Sequence, residues 1–167
     1  MLSSSNGDKS ISMSMLMTPD KVNFSGSNVH GGEILKMLDQ VAYVCAAKYS
    51  GTYVLTLSVD RVTFHDPIKV GSLVTFHASV NYVGNTSMEI GIKVISEDIR
   101  DRTKKHTNVC YFTMVAVDEN GKPTPLKKLE LKTDEDRRRY NDAIKRKESR
   151  FKAENKVKEK EKEAVAV

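Results

Sequence analysis

Two features of the 167-residue sequence stand apart from its packing pattern and lie close together: the run Asn28-Val29-His30-Gly31-Gly32 and the carboxylate Asp39. A glycine pair at a helix entrance removes side chains, leaves backbone N–H groups open and points the positive end of the helix dipole into one space. Such a place stabilises a developing oxyanion. A carboxylate two helical turns further in can orient water, act as a general base or attack a carbonyl directly, and the Asn28 amide can hold a water or the carbonyl oxygen. These parts belong to acyl-transfer chemistry. On spacing alone, a permissive His-Gly-Gly turn without chemistry and an Asp39 leaning into solvent remain open alternatives. His30 suits a loop-shaping hydrogen bond better than a general base.

The elements that must position these residues follow from periodicity. From Glu33 to about Tyr49, the apolar residues Ile34, Leu35, Leu38, Val41, Ala42, Cys45 and Ala46 recur at steps of three and four, and Ser50-Gly51 supplies a stop. The spacing predicts a helix, and its second half, VAYVCAA, is apolar nearly all round, so the helix is expected to be buried on most sides. Asp39 would then sit beside an apolar face, where an ionised carboxylate needs a partner or a task. A short strand, ISMSMLM, precedes this helix. Four period-two segments follow it: TYVLTLSVDRVTF, LVTFHASVNYVG, SMEIGIKVISEDI and KHTNVCYFTMVAVD, separated by turn-forming residues. The order predicts an α+β fold, an antiparallel sheet wrapped around one long central helix.

Composition divides the chain into a flexible polar start (1–10), one domain (11–132) and a charged C-terminal helix and tail (133–167). Between Asp134 and Glu163, 21 of 30 residues are charged, 12 basic and 9 acidic, so this segment supplies +3 of the net +5. Thr133 and the acidic residues after it form a helix start, and the end is expected to fray beyond Phe151. With only +2 left elsewhere and no aromatic-interleaved basic run, nucleic acid is not an expected partner. No apolar stretch approaches the ~20 residues of a membrane span, and MLSSSNGDKS lacks a signal-peptide core, so a cytoplasmic protein without a membrane partner is expected. Cys45 and Cys110 lie in apolar segments without metal or redox spacing, and are read as buried free thiols.

The run Asn28 to Ala42, NVHGGEILKMLDQVA, resembles the active-site loop and helix of the hotdog acyl-CoA thioesterases, in the branch of YciA-like hydrolases and brain-type cytosolic acyl-CoA hydrolase. Val59-Asp60-Arg61-Val62-Thr63-Phe64 with Pro67 and Gly71, and Lys105-His106-Thr107-Asn108 leading into CYFTMVAVD, extend the resemblance over about residues 11–130. It implies a single hotdog domain that hydrolyses acyl-CoA to free CoA and a carboxylic acid, without metal or organic cofactor, CoA being part of the substrate. It implies catalytic Asn28 and Asp39, with His30, Gly31 and Gly32 around the oxyanion and Asp39 as base or nucleophile. It further implies a homodimer whose sites combine Asn28 of one subunit with Asp39 of the other, associating further into a trimer of dimers. Candidate CoA contacts are Thr86 and Ser87 for pantetheine or a phosphate, and Arg102, Lys104 and Lys105 for the nucleotide phosphates. The alternative is a noncatalytic acyl-CoA or nucleotide-binding regulator on the same fold.

Overall fold

The period-two segments form one antiparallel sheet of five strands: β1 (Ser10–Leu16), β2 (Tyr53–Val59), β3 (Leu73–Val83), β4 (Ser87–Glu97) and β5 (Lys104–Val117). Their spatial order is β1-β3-β4-β5-β2, which leaves β1 and β2 at the two edges. The computed structural model describes residues 9–60 and 62–165. They divide into two compact units, one ending at Leu129 and the other beginning at Glu130. Of the start expected to be flexible, residues 1–8 lie outside the described part. Lys9 and Ser10 are ordered: Val80 N–H donates to the Lys9 carbonyl at 2.8 Å, and Ser10 opens β1.

Helix α1 (Gly31–Ser50) crosses one face of the sheet. It buries Ile34, Met37, Leu38, Val41, Ala42, Cys45 and Ala46 against a core that includes Phe76, Ile90, Ile92, Phe112 and Met114. Gly51 ends the helix in the left-handed region, φ 68°, where a residue without Cβ is at no disadvantage. The expectation of burial on most sides is corrected here. Leu35, Asp39, Gln40 and Tyr43 are exposed and Val44 half-buried, because the sheet covers only one face of the helix.

The segment expected to be a strand from 52 to 64 forms a ladder only as far as Val59. A bulge between Thr56 and Ser58 breaks the β2–β5 register. Beyond it, Asp60 N–H still reaches the Tyr111 carbonyl at 2.9 Å and His65 N–H the Thr107 carbonyl at 3.1 Å, so the chain follows β5 without a regular ladder. Arg61 lies outside the described residues. A second bulge, at Asn81 in β3, places the Asn81 amide where a side chain at position 91 would stand, which makes Gly91 a packing requirement.

In the second unit, α2 (Asp134–Val165) starts with a reciprocal cap: Asp136 N–H donates to Thr133 Oγ1 at 3.1 Å, and Thr133 N–H donates to Asp136 Oδ2 at 3.0 Å. The Arg138 guanidinium beside Glu135 holds that carboxyl down to about 2. The expected fraying after Phe151 is corrected: the helix continues to Val165, through residues of high helix propensity.

Candidate active site

The entrance to α1 is shaped by a small loop. Val22 and Val29 bridge, Asn23 N–H donates to the Asn28 carbonyl at 2.7 Å, and Gly26 adopts φ 77° at the turn. Asn28 also bridges Lys69, so its backbone is fixed on both sides, and its side chain is half-buried. His30 is the N-cap: its ring Nδ1 accepts the Gly32 N–H at 2.9 Å. The loop-shaping role expected of this histidine is what the geometry shows. One consequence changes the picture of the glycine pair. Both glycines are the first helical residues rather than loop, and the Gly32 amide is already committed to His30. The Gly31 amide, which has no acceptor within the helix and none among the described residues, is the donor left facing outward. A Cβ at position 31 would meet the Phe64 ring at 3.9 Å, an ordinary contact, so packing alone does not require glycine there.

Asp39 sits eight residues after Gly31, about 12 Å further along the helix axis. It is exposed, and its Oδ1 accepts a hydrogen bond from Thr56 Oγ1 of β2 at 2.6 Å. Thr56 was missed at the level of sequence. Its only signal would have been a hydroxyl in an edge strand that returns antiparallel beside the helix. Asp39 and Thr56 open into a groove of about 370 Å³ between α1 and β2, lined also by Gln40, Tyr43, Val44, Tyr53, Val54 and Leu55. Asn28, before the first helical turn, is thus more than two turns from Asp39 of its own chain, and one protomer does not bring the two together.

The five candidate CoA contacts divide into two groups. Thr86 and Ser87 lie in the β3–β4 hairpin, with Ser87 across from Val115 and the Thr86 carbonyl accepting Ala116 N–H at 2.9 Å. Arg102, Lys104 and Lys105 lie in or beside the β4–β5 turn, at the opposite end of β4, on the order of 30 Å away along the strand. Lys104 is paired with Glu97 at 3.4 Å, and Arg102 holds φ 63° in the turn. Ser87 shares an end of the sheet with the start of β2, the side toward which the Asp39 groove runs.

Cys45 and Cys110 are free and buried, and burial pushes both thiols up to about 12. Among the described residues no group of three or more His, Cys, Asp or Glu could hold a metal ion. No helix of the described residues is long and apolar enough to cross a membrane.

Residues 26–103, which include the helix entrance, Asp39 and Thr56, match the family model of the thioesterase superfamily. Protein VdlD of Helicobacter pylori is 61% identical over 138 residues, 83% of this chain and 78% of VdlD. The acyl-CoA thioester hydrolase YkhA of Bacillus subtilis, whose function is itself uncharacterised, is 32% identical over 120 residues, 72% of this chain and 70% of YkhA. The chain belongs to the thioesterase superfamily. Among solved thioesterases, an apo-hexameric acyl-CoA thioesterase superposes with TM-score 0.83 at 34% identity, covering 87% of this chain and 92% of that one. The acyl-CoA hydrolase of Staphylococcus aureus, solved with butyryl-CoA, CoA and CoA disulfide, gives TM-score 0.83 at 28% identity over 96% of both chains. Variants of that hydrolase with one Asp, one Asn or one Thr replaced by Ala have also been solved. The α+β fold is therefore that of the hotdog acyl-CoA thioesterases, the family the sequence resembles.

Proposed function

We propose that this protein hydrolyses acyl-CoA thioesters to free CoA and a carboxylic acid, with Asp39 as general base on water or as the nucleophile. The observation that carries this is the Asp39–Thr56 pair at the mouth of the groove. In the S. aureus hydrolase the replaced Thr follows the replaced Asp by 17 positions, the same spacing as Thr56 after Asp39. Thr56 Oγ1, by donating to one carboxylate oxygen, fixes the other toward the groove, where a water or thioester carbon can approach. The Gly31 amide at the helix N-terminus is the oxyanion donor.

The site is completed by a second copy. The exposed helix face of Leu35, Asp39 and Tyr43 adjoins the edge strand β2, which carries exposed Tyr53, Leu55, Leu57 and Val59. Unpaired edge backbone and an apolar patch call for a symmetric partner. The resulting dimer brings the helix entrance of one subunit to the Asp39 of the other, which the ~12 Å separation within one chain requires. Such dimers associate further, as the hexameric neighbour does. A site of this kind uses no metal or organic cofactor, and a cytoplasmic location suits its substrate.

The amide role has two claimants. Asn28 lies 11 positions before Asp39, whereas Asn23 lies 16 before it. In the S. aureus hydrolase the replaced Asn precedes the replaced Asp by 15, which favours Asn23. Asn23 Oδ1 accepts from Ser25 N–H at 3.1 Å and Ser25 Oγ at 2.6 Å, which orients its NH₂ as a donor. The test of the whole reading is thiol release: purified protein, acyl-CoAs of graded chain length and a thiol-reactive dye. Release of CoA supports it. Saturable CoA binding with no turnover of any acyl-CoA overturns it in favour of a noncatalytic binder.

A further inference from the structure

The groove that opens at Asp39 and Thr56 continues away from them between α1 and β2, and two rings line its other end. Tyr43 from the helix and Tyr53 from the strand meet edge to face, with ring centroids 6.0 Å apart and planes at 65°. Val54 and Leu55 of β2 line the stretch between, with Gln40 near the mouth and Val44 beside the rings. Tyr43 lies four residues beyond Asp39, about 6 Å of helix rise. Tyr53 lies three residues before Thr56, about 10 Å of extended strand. The rings keep 38% and 59% of their residues' surface exposed in the single protomer, at the end of the groove away from Asp39.

We infer that this groove takes the acyl chain and that the Tyr43–Tyr53 pair is its end wall, so that the preferred substrates are acyl-CoAs with chains of about four to eight carbons. The inference rests on the hydrolysis proposed above. For Asp39 to act, the thioester carbon must stand at the mouth, and the groove floor of valine and leucine side chains is the apolar path leading from there. Each methylene laid on that floor leaves water and raises kcat/KM about fourfold. A methylene beyond the wall must turn out into solvent and adds nothing. The two rings brace one another from opposite walls, so displacing either means breaking the edge-to-face contact as well. The geometry is that of a fixed stop rather than a flexible flap.

The experiment measures kcat/KM of the full chain on saturated acyl-CoAs from acetyl to palmitoyl, with the oligomeric state followed by light scattering. The wild type is expected to gain about fourfold per methylene up to a break at about eight carbons and no more beyond it. Tyr43→Leu and Tyr53→Leu, which shorten the wall but keep it apolar, should move the break to longer chains. Leu55→Phe, which fills the groove between Thr56 and the rings, should move it to shorter ones, and it carries the test by itself if either tyrosine variant fails to fold. An active wild type whose profile climbs without a break to palmitoyl overturns the end wall, as does a break that no variant moves. A Tyr53→Leu protein that stays assembled and keeps the wild-type profile also overturns it. No thiol release by the wild type at any length overturns the hydrolysis reading itself, which separates the two failures.

Discussion

Thr56→Val removes the hydroxyl that donates to Asp39 and changes little else. Valine keeps the branched shape and the strand preference of threonine, so β2 and its pairing with β5 should survive. What is lost is a 2.6 Å hydrogen bond to a carboxylate oxygen, with a weak 3.5 Å contact to Met114 Sδ. Bonds to charged groups contribute roughly 1.5–3 kcal/mol, and if that fixes the carboxylate in its working orientation, its loss lowers kcat about 10- to 100-fold. KM should move much less, because Thr56 acts through Asp39. Thr56→Ser restores the donor and should recover most of kcat. The assay is steady-state thiol release for wild type, Thr56→Val and Thr56→Ser, with thermal melts as the control for folding. Wild-type kcat in Thr56→Val would refute the positioning role. Equal losses in the Val and Ser variants would refute it too, since they would trace the defect to strand packing rather than to the hydroxyl.

Asp39→Asn keeps size and removes charge, so the protein should fold and assemble while kcat falls at least ~10²-fold, the low end for general-base catalysis. Mixing Asp39→Asn with an inactive Asn23→Ala or Asn28→Ala chain under subunit exchange should restore about a quarter of wild-type activity if the site is shared across a two-fold axis, and none if it is not. The asparagine whose variant complements is the one that serves the site. Gly91→Ala forces a methyl group onto the Asn81 amide and should destabilise the fold by about 1–3 kcal/mol in denaturant melts, with Asn81→Ala in the same chain recovering part of it. Because burial pushes both cysteines up to about 12, their thiolates form only well above assay pH, and neither should react with the thiol dye near pH 8 until the protein is unfolded. Truncation after Phe151 removes only helix from the second unit and should leave turnover nearly unchanged.

Helix α1 and most of the sheet were legible because their apolar spacing is set by burial against each other, and the resulting rhythm survives in the sequence. Val59 was not legible as the end of β2: the apolar alternation runs on to Phe64, whereas the ladder with β5 resumes after the bulge at Thr56–Ser58 only for Ser58 and Val59. Asp39 was singled out, but for a burial that one protomer does not impose. It draws attention because the residues around it are apolar, and those residues face an edge that another chain can cover. Thr56 was invisible because a hydrogen bond between a helix and a strand 17 positions on leaves no periodic trace. His30 and Gly32 show the opposite case, where neighbours two residues apart bond locally and the role can be read almost directly.

The two borders of the sheet are unlike each other, and this limits how far the sheet can grow. On β1 the serines Ser12 and Ser14 are tied across to His77 and Thr75 of β3, at 2.5 and 2.9 Å, while Ile11, Met13 and Met15 turn toward the core. Apart from Leu16 at its end, that border is hydrophilic on its outward side and presents little for a neighbour to bury. In the proposed dimer the β2 border, with Leu55, Leu57 and Val59 open, meets a copy of itself turned by half a rotation. Once two such borders have met, each is used up, and the strands left outermost are the serine-bearing ones. In that proposed dimer growth by adding strands stops at ten, whereas a chain whose two borders attracted one another would polymerise head to tail into a fibre.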